Sequence, residues 1–120
     1  MPTYAAIIYR DEASTPAQDS PDNPKQYQEL YQAWGAFNAE VGKAGVLKIG
    51  TGLLPSSSAT TVRLRDGKTL TTDGPFAETR EQLGGFFIFE CKDLDEAIEW
   101  ASKIPDARTG AIELRPVWGA

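Results

Sequence analysis

Gly84-Gly85-Phe86-Phe87-Ile88-Phe89-Glu90-Cys91 is the stretch on which the fold turns. Four consecutive apolar residues behind a double glycine read as a strand, from Gly85 to Cys91. Successive side chains of a strand point to opposite faces. A strand that carries Phe86 and Ile88 on one face and Phe87 and Phe89 on the other therefore predicts that both faces are covered.

Downstream, Asp93 reads as the cap of a helix running through Ile104, with Glu96 completing a capping box and Pro105 stopping it. Leu94, Ala97, Ile98, Ala101 and Ile104 supply its apolar stripe. A last strand runs from about Gly110 to Val117, where Ile112 and Leu114 alternate with Glu113 and Arg115. Upstream, Thr60 to Arg65 and Lys68 to Thr72 flank Asp66-Gly67, a strong hairpin signal. Val46 to Leu54 reads as a strand in which Gly50 and Gly52 mark a bulge or a close backbone approach. Pro55 to Ala59 is a small-residue loop.

Between Pro24 and Ala44, Tyr27, Leu30, Tyr31, Trp34, Phe37, Val41 and Ala44 recur at helical steps, with Pro24 in the first turn and Gly45 past the end. Thr3 to Arg10 is an opening strand. Asp11 to Asn23, polar and carrying Pro16 and Pro21, is a loop, either a tolerated connection or a cover over a pocket.

The order strand, helix, strands, hairpin, strand, helix, strand predicts an α+β fold: a ferredoxin-like antiparallel sheet with two helices on one face. Two helices cover one side only, yet the strand at Phe86 to Phe89 offers bulk to both. A second copy, sheet against sheet, resolves that conflict and predicts a homodimer.

With 120 residues, the chain is expected to form a single domain over 1–120. A formal net charge of -5 predicts no nucleic-acid partner, because phosphate binding needs clustered cations. The start, Met1-Pro2-Thr3-Tyr4, does not read as a secretory leader, and no apolar run reaches membrane-spanning length, so no membrane association is expected. One cysteine, Cys91, excludes an internal disulfide and a thiolate metal cluster; a cytoplasmic setting is the simplest expectation. The chain has no histidine, which removes the commonest general base and metal ligand. Phosphate-binding and dinucleotide motifs are missing too, and no metal or cofactor is expected.

Candidate chemistry centres on Asp73, at the end of a strand where Gly74 and Pro75 fix the backbone. Set beside Phe76 and Phe86, its carboxylate would suit proton transfer, with Glu78 as acid/base partner. The competing reading is that Asp73 bonds the amides of its own turn and Glu78 belongs to a solvated loop. Tyr9 ends the first strand. Strand alternation places Arg63 with Arg65, and Glu113 with Arg115, away from the helices. Tyr9, Arg63, Phe76, Phe86 and Arg115 are thus candidate ligand-binding residues, and the charges among them can equally pair with one another across the dimer.

Several blocks occur in one order: Ile8-Tyr9, Tyr31-Gln32-Ala33-Trp34, Thr61-Val62-Arg63, Thr72-Asp73-Gly74-Pro75-Phe76-Ala77-Glu78-Thr79, Glu81-Gln82-Leu83-Gly84-Gly85-Phe86 and Asp95-Glu96-Ala97-Ile98. Together they resemble the DGPF branch of the YCII-related proteins, over nearly the whole chain. The resemblance implies the dimeric α/β-barrel group, in which two such sheets pack together. It further implies a cofactor-free, small-molecule-binding dimer with isomerase- or lyase-like activity. Its alternatives are a regulatory or accessory protein linked to alternative sigma factors, and a module without chemistry. Some relatives carry a His-Asp pair proposed to act in catalysis; this chain supplies Asp73 and no histidine.

Overall fold

A computed structural model describes residues 1–14 and 24–119 of the chain. Four strands form one antiparallel sheet: β1 (Thr3–Asp11), β2 (Leu47–Gly52), β5 (Glu81–Glu90) and β6 (Ala111–Pro116), in the order β2-β5-β1-β6. Helix α1 (Pro24–Ala44) joins β1 to β2, and α2 (Leu94–Ser102) joins β5 to β6. Each helix thus links strands one place apart, with a strand of the other unit between them. That split βαβ pairing is the ferredoxin-like arrangement. Strands β3 (Thr60–Arg65) and β4 (Lys68–Asp73) form a separate two-stranded hairpin inserted between β2 and β5.

Local chemistry accounts for most boundaries. α1 begins at Pro24, and Gly45 follows it at a φ of 73°, where a left-handed residue closes a helix. Asp66 and Gly67 both take positive φ, as a two-residue hairpin turn of this hand requires. Asp93 Oδ1 accepts the Glu96 amide at 2.9 Å, while Glu96 Oε1 accepts the amide of Lys92 at 3.2 Å. The reciprocal half of the capping box therefore falls one residue before the cap.

The core lies between the helices and one sheet face. Tyr4, Ala6 and Ile8 of β1 meet Phe87 and Phe89 of β5, Phe37 and Val41 of α1, and Ala97 of α2. Phe87 and Phe89 stack at 5.7 Å between ring centroids. Burial of such rings is the main favourable term in a domain of this size.

Four expectations need correction. The strand expected from Gly85 begins at Glu81 and ends at Glu90, because Glu81, Gln82 and Leu83 pair with Asp11, Arg10 and Tyr9. Gly84 is the extra residue of a bulge between Ile8 and Tyr9. Glycine is forced at Gly85, where φ is 155° and a Cβ would lie 2.6 Å from the Thr51 carbonyl oxygen; a Cβ at Gly84 would lie 2.4 Å from Arg10 Nε and require that side chain to shift. Second, α2 ends at Ser102, and Leu94 and Ile98 are about half exposed; Ala97, Ala101 and Ile104 carry the buried side. Third, the α1 stripe is buried at Phe37 and Val41, whereas Tyr31 is 70% exposed on the first half of the helix. Fourth, Asp11 belongs to β1 and Glu12–Ser14 to a 3-10 turn, so the expected loop starts later; 15–23 lie outside the described residues.

On the other face of the sheet, Phe86 and Ile88 are partly buried by the chain itself, less so than Phe87 and Phe89 on the helix side. They neighbour Ile7 and Ala5 of β1 and Thr51 and Ile49 of β2.

Cys91 is fully buried at the end of β5. Burial, with Glu96 and Asp93 nearby, pushes its thiol from 9.0 up to about 11. Only the thiolate is nucleophilic, so iodoacetamide near pH 8 is expected to leave native Cys91 unmodified and to label it once the chain is unfolded; mass spectrometry reads the difference. Since the folded value is the higher one, the contribution to stability is complete below pH 9.0 and is lost as pH rises towards about 11.

Candidate functional site

The segment between β4 and β5 is an irregular elbow held by specific bonds. The Gly74 amide donates to the Ala59 carbonyl at 2.8 Å, and Thr61 Oγ1 donates to the Gly74 carbonyl at 2.9 Å. Gln82 Nε2 donates to the carbonyls of Ala77 and Thr79, both at 2.9 Å. These bonds fix Pro75 and Phe76 although neither lies in regular structure.

The elbow separates two concavities. The larger, about 960 Å³, is a groove between the base of the hairpin and the end of the sheet. Leu53, Leu54, Val62, Phe76 and Leu83 give it apolar walls, and Tyr9 contributes a phenol. The second, about 520 Å³, is polar and bounded by Asp11, Glu12, Ser56, Glu78 and Arg80. Glu12 reaches across it to accept the Ser56 amide at 2.7 Å and the Ser56 hydroxyl. Arg80 pairs with Asp11 at 3.0 Å. Pro75, Ser56, Thr79 and Gln82 border both concavities.

The candidates expected from sequence are distributed as follows. Tyr9 and Phe76 line the groove. Arg63 stands over the Phe76 ring, 5.5 Å from its centroid, a cation–π contact behind the groove wall. Glu78 lines the polar depression instead. Asp73 is exposed at the end of β4, opposite Thr60, and borders neither concavity. Among the described residues its carboxylate makes no hydrogen bond with the turn amides and no bond to Glu78. Phe86 sits on the uncovered sheet face, opposite Ile7, away from the groove. Arg115 pairs with Glu113 at 3.1 Å within β6, and Glu113 also accepts the Tyr9 hydroxyl at a long 3.4 Å. This pair lies within one strand and is not the pairing across a dimer expected from sequence.

Sequence reasoning missed Leu53, Leu54 and Leu83 as groove walls and Glu12 as the clamp on the 55–58 loop. Leu53-Leu54 carried a signal, an apolar pair just past the strand glycines and before Pro55. Glu12 carried none. Among the described residues, no three Cys, Asp or Glu side chains are grouped to hold a metal ion. No helix among them is long and apolar enough to cross a membrane.

A family model for the YCII-related domain matches residues 3–119. The chain belongs to the YCII-related family. A relative in Rhizobium meliloti (strain 1021), described as an uncharacterized protein, is 37% identical over 116 residues, which span 95% of this chain and 90% of the relative. For this YCII-related chain, the match covers the hairpin and the elbow as well as the ferredoxin-like sheet.

Proposed function

We propose that this YCII-related chain is a cofactor-free, small-molecule-binding protein that works as a homodimer and takes its ligand in the groove beside Tyr9 and Phe76. The observation that carries the reading is the groove itself. It is of ligand-accommodating size and mostly apolar, with a few polar groups at its margin, which is how small-molecule sites are built. The Asp73-Gly74-Pro75-Phe76 run that suggests the DGPF branch forms one of its borders through Pro75 and Phe76.

Two observations support the dimer. Ala5, Ile7, Ile49, Phe86 and Ile88 form an apolar strip on the sheet face opposite the helices, and Ile49 is 53% exposed. The chain is also flat: its extents are 46 × 45 × 19 Å and its radius of gyration is 16.2 Å. A compact domain of this length is expected near about 14 Å. A second copy against the free face would cover the strip and thicken the slab, and Glu113 with Arg115 would stand at its margin.

The reading is one of binding. Acid–base turnover draws no support from a single chain, since Asp73 is outside the groove and Glu78 faces the neighbouring depression.

Sedimentation velocity at micromolar concentration is expected to give twice 13.1 kDa for the wild type. Ile88→Asp, which places a charge on the apolar strip, is expected to give the single-chain mass. 1-Anilinonaphthalene-8-sulfonate should bind the groove, and Leu54→Asp, at a side chain 79% exposed, should weaken it by about tenfold. A monomeric wild type would remove the dimer and favour a protein partner in a regulatory role. Probe binding indifferent to Leu54→Asp would remove the groove.

A further inference from the structure

Trp118, two residues past the end of β6, is 99% exposed, more than any other large apolar side chain described. We propose, as an extension that rests on the homodimer and groove reading above, that this indole seats in the groove of a second copy and completes the ligand site there. Its own groove is out of reach. The groove lies at the Tyr9 end of the sheet, where Tyr9 faces Leu83. Trp118 lies at the other end: Pro116 pairs with Tyr4, and the Val117 amide donates to the Thr3 carbonyl at 2.8 Å, which keeps the chain running away from Tyr9. At about 3.3 Å per strand residue, the two are about 20 Å apart. The groove in turn lacks a wall, since Leu54 and Phe76, both among its lining residues, are each 79% exposed. It measures about 960 Å³, and about 150 Å³ already admits benzene, so an indole leaves room for a ligand.

Symmetry and charge make the second copy the occupant. By alternation Tyr9 shares a sheet face with Ala5 and Ile7, so the groove opens onto the strip that the second copy covers. Sheets packed face to face keep their strands roughly aligned, running either in the same or in opposite directions. The same direction sets groove against groove and leaves both indoles in water. Opposite directions set the Thr3 end of each sheet over the Tyr9 end of the other. Each indole then meets the other copy's groove, the reciprocal contact that a two-fold axis requires. The charges of that face are graded to suit. Glu81 and Asp11, the latter paired with Arg80, stand at the groove end. Arg115 and the mutually neutralising Lys48 and Glu90 stand towards the Thr3 end. Opposite directions bring Arg115 towards the acidic end of the other copy, whereas the same direction sets acid against acid. Glu81 lines the groove and offers an acceptor to the indole N–H.

The test labels the full chain with 5-fluorotryptophan, which gives three ¹⁹F signals, and assigns Trp118 as the one lost in Trp118→Phe. In a wild type of dimeric mass, that signal should show almost none of the shift between H₂O and D₂O that it shows in single-chain Ile88→Asp. Cysteines placed together by Trp118→Cys and Leu83→Cys, both at exposed side chains, should be joined between subunits by bismaleimidoethane. Cys91 is buried and stays out of the reaction, and neither substitution alone should give a covalent dimer. Trp118→Ala should weaken 1-anilinonaphthalene-8-sulfonate binding by about tenfold. A wild-type dimer whose Trp118 keeps the full isotope shift would overturn the placement of the indole and leave the dimer standing. So would cross-linking of Trp118→Cys alone, which reports tail against tail, links formed only within one chain, or dye binding unchanged in Trp118→Ala. A wild type of single-chain mass would remove the dimer itself and this contact with it.

Discussion

Phe89→Ala is expected to lower the stability of the folded chain by about 3–5 kcal/mol. Phe89 is 0% exposed, stacks on Phe87 with 9° between ring planes, and belongs to the cluster shared by the sheet and both helices. Truncation removes the transfer energy of a whole ring and leaves a cavity whose walls come from three elements and cannot all move in. Domains of this kind are stable by only about 5–15 kcal/mol, so one substitution would consume a large share. Urea unfolding followed by circular dichroism reads the change as a lower midpoint at constant slope. Phe76→Ala serves as the contrast. That ring is 79% exposed and its truncation should change stability by less than about 1 kcal/mol. A loss at Phe89 no larger than at Phe76 would mean that the core is not organised around β5.

Asp106→Ala carries the second large expectation, a loss of about 2–3 kcal/mol. Asp106 is in the 3-10 turn Pro105–Arg108 between α2 and β6, and its side chain is 5% exposed. Its carboxylate anchors that turn to Arg10 of β1. Removing it leaves a covered guanidinium with no counter-charge, the costly way to break an ion pair. The figure is set below the roughly 3–5 kcal/mol of a fully enclosed pair, because the Arg10 side chain keeps 23% of its exposure. Arg115→Ala breaks a pair of similar chemistry at the surface, where the Arg115 side chain is 68% exposed, and should cost less than about 1 kcal/mol. Parallel thermal and urea unfolding of the two variants checks the ranking. Equal losses would show that burial does not set the strength of the Arg10–Asp106 contact.

What the sequence determined by itself was everything that depends on neighbours along the chain. Pro24 and Gly45 delimit α1, Asp66-Gly67 turns the hairpin, and Asp93 starts α2, because each acts through backbone angles or hydrogen bonds within a few residues. The alternation in β6 and the crowded apolar run of β5 were equally local, and with the element order they were enough to indicate the ferredoxin-like sheet. The strand at Glu81–Leu83 was not legible, since its polar residues become a strand only by pairing with Asp11, Arg10 and Tyr9, about 70 positions earlier. The exposure of Leu94 and Ile98 was likewise not legible from helical spacing.

The sites were legible only in part. Tyr9 and Phe76 could be named from strand ends and turn chemistry. Their meeting with Leu54 and Leu83 required four separate segments to converge. Asp73 looked like the centre of the chemistry because its neighbours constrain the backbone, yet the direction of a side chain is set by the packing around it. Short-range bonding fixes elements, whereas cavities form between elements, and only the assembled tertiary structure decided where they lie.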